Sequence, residues 1–138
     1  YKYSKNIAGS ENMQTRMIWG CQWDVTCKWL AEHNYDINNS SAWGNYKDSV
    51  SPANGGNYEQ NNNKNTGSNE NWKANNIYDL AGNVWDWTTE ARSSGRRVHR
   101  GGYYSYYGSF YPAGDRYNSF DLPDGSSYSV GFRPALYL

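Results

Sequence analysis

Residues 34–76 carry fourteen asparagines and few apolar side chains, and "NGGNYEQNNNKNTGSNEN" within them is nearly low-complexity. This span constrains the chain more than any other feature. A 138-residue chain has room for one domain with one core. With so long a polar stretch in the middle, the core must come from the two flanks. Aromatic residues must supply much of it. They make up 17% of the chain and include seven Trp, each able to bury a large area. Disordered chains are poor in aromatics, so the low mean hydropathy belongs here to a folded domain with a polar surface. Polar spans of this length are uncommon unless functional or tied down. Trp43 and Trp72 are the expected ties.

The flanks read as mixed α and β. In residues 13–33, Trp19, Trp23, Cys27 and Leu30 recur at i, i+4, i+8 and i+11, the face of one helix. Gly20 interrupts the pattern, so the regular helix is expected from Cys21 to the "EHN" region. "IYDLAGNVWDWTTEAR" (77–92) holds a turn at "AGN" and then "VWDWT", which alternates like a half-buried strand. "SSGR" is a turn, "RVHR" a short strand, and "VGFRPALYL" a last strand with Pro134 at an edge or bulge.

Charge and cysteines exclude several functions. Lys and Arg balance Asp and Glu at 13 each, which argues against nucleic acid as a partner. No apolar run approaches the length of a membrane span. Cys21 and Cys27 on one helix would be about 9 Å apart along its axis, too far for a disulfide. His33 and His99 stand in different elements without metal-ligand spacing. Both read as surface or structural residues.

The most unusual stretch runs from Tyr103 to Ser129, with seven Tyr and six Ser in twenty-seven positions. It is bracketed by "RGG" and "GFR". Tyr supplies stiff contact area with a hydroxyl, while Ser and Gly adapt their hydrogen bonds around it. That is the chemistry of antibody-like binding surfaces. The candidate contact residues are Tyr103, Ser105, Tyr106, Tyr107, Phe110, Tyr111, Asp115, Tyr117, Asn118, Ser119, Phe120, Asp121, Leu122, Ser127, Tyr128 and Ser129. Tyr104, next to the Gly pair, is expected to pack inward as scaffold. Arg100, Arg116 and Arg133 are expected to hold the block through carbonyls or Asp. Gly101, Gly102, Gly108 and Gly131 are expected to set turns.

Three phrases then align in order: "NIYDLAGNVWDWT" (76–88), "RVHRGG" (97–102) and "GFRPA" (131–135). Together they resemble the formylglycine-generating enzyme, or sulfatase-modifying factor, family. The resemblance implies an α+β, C-type lectin-like fold of that subtype, with much irregular loop structure. It implies a single domain over 1–138, the C-terminal part of a longer protein. The family enzyme binds copper through two cysteines shortly after the Gly pair. Those positions fall on Tyr106 and Tyr111, and a phenol cannot replace a soft thiolate for Cu(I). The resemblance therefore implies a protein that is not an enzyme and requires no cofactor. A structural calcium is also implied, on the Asp79 and Asp86 carboxylates and the Gly82 and Val84 carbonyls, all oxygen donors.

A second resemblance concerns the block itself. Tyr, Ser, Phe, Asp, Gly and Leu can each arise from an Asn codon by changing only adenines. The chain is similar to the variable proteins of diversity-generating retroelements, whose C-terminal region is rewritten at adenines to diversify a ligand-binding surface. This implies residues 100–133 as the variable region. The expected ligand is a protein or glycan on a cell surface, met outside the cell from a phage tail or a bacterial surface. Oligomerisation would run through a preceding N-terminal part. A fixed carbohydrate- or protein-binding module on the same scaffold is the alternative. An enzyme with displaced redox chemistry and a structural fibre domain are more distant rivals.

Overall fold

A computed structural model describes residues 13–49, 63–93, 95–118 and 127–137. The elements are β1 (Gln14–Met17), α1 (Gly20–Glu32), β2 (Lys73–Ala74), β3 (Ile77–Tyr78), β4 (Trp85–Ser93), β5 (Arg96–Arg100), β6 (Tyr117–Asn118), β7 (Val130–Phe132) and β8 (Pro134–Tyr137). The largest sheet has the order β6-β5-β4-β7, in which β4 runs antiparallel to β5 and parallel to β7. β1 and β8 form a second, antiparallel pair, and β2 with β3 a third.

The single described helix lies where its periodicity places it, with one correction. Trp23, Cys27 and Leu30 are buried, but Trp19 is 49% exposed. It caps the helix in an extended conformation. The residues before it cannot be helical because Gln14–Met17 are paired with β8, from Gln14 opposite Tyr137 to Met17 opposite Pro134. Thr15 and Ile18 supply the inward side chains instead. The helix starts at Gly20 rather than Cys21. A Cβ at Gly20 would overlap the Glu90 side chain, so glycine is what lets the helix sit against β4.

The last strand divides in two. Val130–Phe132 join β4, and Pro134–Tyr137 turn away to join β1. Arg133 stands at the break. Proline opens β8, as its missing N–H favours the start of a strand.

The polar span is tied in more firmly than its composition suggests. Trp43 and Trp72 are buried as expected, and Tyr46 and Ser40 are fully buried beside the helix core. Asn75 and Asn76 both have positive φ and close the β2–β3 hairpin. This is the left-handed pair that a two-residue hairpin turn requires. Sequence reading missed that hairpin inside the Asn-rich run. The "AGN" turn is present, with Gly82 and Asn83 at positive φ. Both cysteines are free, Cys27 buried and Cys21 exposed.

Candidate functional site

The site is built on the exit of β5. Gly101 and Gly102 both have positive φ. A Cβ on Gly102 would stand 2.2 Å from the Tyr111 carbonyl oxygen, so the two chain segments touch through backbone. Beyond this pair the block is anchored by main-chain groups. Tyr104 N–H donates to Asn83 O at 3.1 Å. The Tyr46 hydroxyl lies 2.6 Å from Gly101 O and 3.1 Å from Tyr111 O. The indole of Trp23 donates to Ala113 O at 2.8 Å. Ala113 N–H donates to Ser40 Oγ at 3.0 Å, and Gly114 N–H to Ile37 O at 3.0 Å.

The polar span forms the other wall. Gly108 N–H donates to Asp48 Oδ1 at 2.7 Å, and Gly108 O accepts from Ser40 N–H at 3.0 Å. Lys47 N–H donates to Tyr106 O at 2.9 Å. Gly108 has no positive φ and sets no left-handed turn. It is glycine because Ser41 backbone lies 2.5 Å from where its Cβ would be. Gly131 likewise lies in a strand, close to Val84.

Side chains from this anchored backbone meet over Trp85, itself 4% exposed. Tyr117 stacks on the indole at 4.8 Å, and Tyr111 meets it edge-on at 5.2 Å. Tyr106 packs edge-to-face on both Tyr111 and Tyr103 at 4.8 and 5.0 Å. Phe110 meets Tyr111 at 4.7 Å. The edge-to-face geometry is the favoured one for aromatic quadrupoles. Burial raises the Tyr106 and Tyr111 phenols above their ordinary range, so both stay protonated donors at neutral pH.

The candidate contact residues fall into distinct environments. Tyr106, Tyr107, Phe110, Ser127 and Tyr128 are exposed, and Phe110 and Tyr128 reach 65% and 77%. Tyr103, Ser105, Tyr111, Asp115, Tyr117 and Ser129 are half-buried. Asn118 lies on β6. Ser119, Phe120, Asp121 and Leu122 lie outside the described residues. Tyr104, read as scaffold, is buried.

Sequence reading did not pick out three positions at this site. Trp85 forms the base of the ring cluster, Tyr46 spans the Gly101 and Tyr111 carbonyls, and Lys47 lies 5.3 Å from the Tyr107 ring centroid. Tyr46 and Lys47 sit within the polar run, where nothing in the local pattern distinguishes them.

The three arginines hold the frame. Arg100 is fully buried and donates to Asp24 Oδ1 at 2.6 Å. Arg116 donates to the other Asp24 oxygen and to Glu90 Oε1 at 3.1 Å. α1, β4 and β5 are thus joined beneath the block. Arg133 reaches Asp86 Oδ2 at 3.4 Å and Tyr78 O at 2.9 Å. His99 is buried on β5 with its ring edge-on to Trp87, and His33 is exposed at the end of the helix.

Asp79 and Asp86 lie at the turn leading into β4 and are both buried. Asp79 Oδ2 accepts from Gly67 N–H at 2.9 Å, while Asp79 Oδ1 is buried without a hydrogen-bond partner. Burial raises both carboxyls, and the charge on Asp79 further raises that of Asp86. Gly82 and Val84 lie between them on the chain. Among the described residues no group of three or more His, Cys, Asp or Glu could hold a metal ion. A cation here would need main-chain oxygens as well. Two neighbouring buried carboxylates, one with an open oxygen, fit a hard divalent cation.

A profile described as the sulfatase-modifying factor enzyme 1-like domain matches residues 4–137. Among solved structures the chain is similar to variable protein 1 of Treponema denticola. The match has 20% identity and a TM-score of 0.62, and covers 88% of this chain and 47% of that one. The chain thus spans about half the length of that protein, and the likeness is one of fold: C-type lectin-like, strand-rich, with one described helix. No curated protein matches.

Proposed function

This chain belongs to the sulfatase-modifying factor enzyme 1-like domain family, and within it we propose a non-enzymatic ligand-binding protein whose Tyr/Ser-rich block is a diversified surface. One observation carries this reading. The block's backbone from Gly101 to Gly114 is held by groups outside its exposed side chains: Tyr46, Trp23, Ser40, Ile37, Asp48 and Asn83. Tyr106, Tyr107 and Phe110 contribute exposed rings to that frame. Such a surface can change its side chains without changing its fold. The fold likeness to a protein named as variable supports the same reading.

The proposal includes the loss of copper chemistry. Tyr106 and Tyr111 stand where the family enzyme has thiolates, and their raised phenols are hard, protonated donors. We also place a structural calcium at Asp79 and Asp86, with the Gly82 and Val84 carbonyls completing its oxygen set. The ligand is a protein or glycan outside the cell, and display is on a phage tail or bacterial surface.

The test is twofold. DNA flanking the gene should hold a reverse transcriptase and a second copy of the 100–133 coding region that differs at template adenines. Randomising Tyr106, Tyr107 and Phe110 together should leave most variants folded, with melting points within a few degrees, since exposed positions usually change stability by about 0.5 kcal/mol or less. Absence of the second copy would leave a fixed binding module in place of a diversified one. General unfolding of the randomised set would refute the display reading itself.

A further inference from the structure

A groove lies away from the Tyr/Ser block, between the start of the helix and the β1–β8 pair. Its volume is about 340 Å³, and it is lined by Gln14, Arg16, Trp19, Gln22 and Tyr137. That volume falls in the range of small-molecule sites, roughly 300–1,000 Å³. None of the five residues lies in 100–133.

We propose that this groove is a second ligand site, of fixed specificity, that takes a carboxylated pyranose. The argument starts from the strands. Gln14 and Tyr137 are directly paired across β1 and β8. Arg16, two residues on, shares the face of Gln14 because strand side chains alternate. Both are exposed while Thr15 between them is buried. The helix closes the other side. Trp19 caps it, with its N–H donating to Gln22 Oε1 at 2.9 Å. Gln22 Nε2 in turn donates to the Tyr137 hydroxyl at 2.9 Å. The half-exposed indole is therefore set on a fixed backbone beside an ordered amide and phenol.

The lining chemistry selects the ligand. An exposed indole offers a flat apolar face on which the C–H face of a pyranose packs. Two carboxamides and a phenol offer donors and acceptors for ring hydroxyls. Arg16 is the one charged side chain in the lining, and no carboxylate opposes it there. Its contact is Gln14 Oε1 at 3.3 Å, a weak hold that a carboxylate would displace. A guanidinium and a carboxylate match as a two-bond fork. The ring demands a sugar, and the guanidinium demands an acidic one.

The inference stands apart from the proposed function, because every variant of the Tyr/Ser block would keep this groove. Its test is titration of the purified chain with D-glucuronate and with D-glucose, followed by indole N–H resonances and calorimetry. Glucuronate should bind at least about tenfold more tightly, the value of one charge-assisted pair. Arg16→Gln should bring glucuronate down to the level of glucose. Trp19→Ala should weaken both sugars, Trp19→Phe should retain part of the affinity, and Tyr106→Ala should change neither. Equal affinity for the two sugars, no saturable binding of either, unaltered binding by Trp19→Ala, or loss through Tyr106→Ala would each overturn the proposal.

Discussion

Tyr46→Phe tests the claim that the block is held from beneath. The side chain is fully buried, and the change removes only the hydroxyl. That hydroxyl serves two carbonyls, Gly101 O at 2.6 Å and Tyr111 O at 3.1 Å. A buried hydrogen bond contributes about 1 kcal/mol net, and an orphaned buried acceptor costs about 1–3 kcal/mol. Gly101 O keeps a second donor, the Gly82 N–H at 2.7 Å, so it is not orphaned. The expected loss is therefore in the lower part of the range, about 1–2 kcal/mol. With an m-value of about 2 kcal/mol per molar urea, the midpoint should fall by about 0.5–1 M. Tryptophan fluorescence during urea unfolding reads this directly. A shift equivalent to less than about 0.3 kcal/mol, below the usual worth of one hydrogen bond, would refute the reasoning. The Gly101–Tyr111 link would then be held by packing alone.

Stability should fall as pH rises above about 9. Burial raises the Cys27 thiol to about 11 and pushes the Tyr46 phenol well above its ordinary value. Their stabilisation is complete below the unfolded pKa values, about 8.5 and 10. Above these, the unfolded chain releases protons that the native chain keeps, and stability drops by about 1.4 kcal/mol per pH unit for each group. Tyr46→Phe should flatten the decline above about pH 10, the unfolded tyrosine value, and urea midpoints across the series check it. Gly82→Ala should cost about 3 kcal/mol or more, since φ is +72° and the new Cβ would stand 2.1 Å from Asn45 O. Expression and thermal melts would show it. Calcium at neutral pH should raise the melting point over an EDTA control, by about 2.7 kcal/mol of stabilisation at a hundredfold excess over Kd. The rise should fade in acid as the burial-raised Asp79 and Asp86 carboxyls protonate. Asp79→Asn should reduce it; an unchanged melting point in calcium would leave the pair as a purely structural feature.

Part of this protein was legible along the chain because the physics is local. Trp23, Cys27 and Leu30 recur with helical period and are buried. "VWDWT" alternates and lies within β4. Gly82, Gly101 and Gly102 have the positive φ that glycine permits. Tyr104 packs inward beside the Gly pair. Three ordered phrases were enough to indicate the family.

The rest depends on partners distant in sequence. Trp19 continues the helical period but lies outside the helix, because Gln14–Met17 pair with a strand some 120 residues away. "VGFRPALYL" reads as one strand and becomes two, since its halves find different neighbours. Tyr46 sits in a run of polar residues and is fully buried only through the carbonyls of Gly101 and Tyr111. Composition and period determine which segments can be helix, strand or turn. Which backbone groups are satisfied, and by whom, is decided when the polar span folds against the Tyr/Ser block, because a buried amide or carbonyl must find its partner wherever the chain places one.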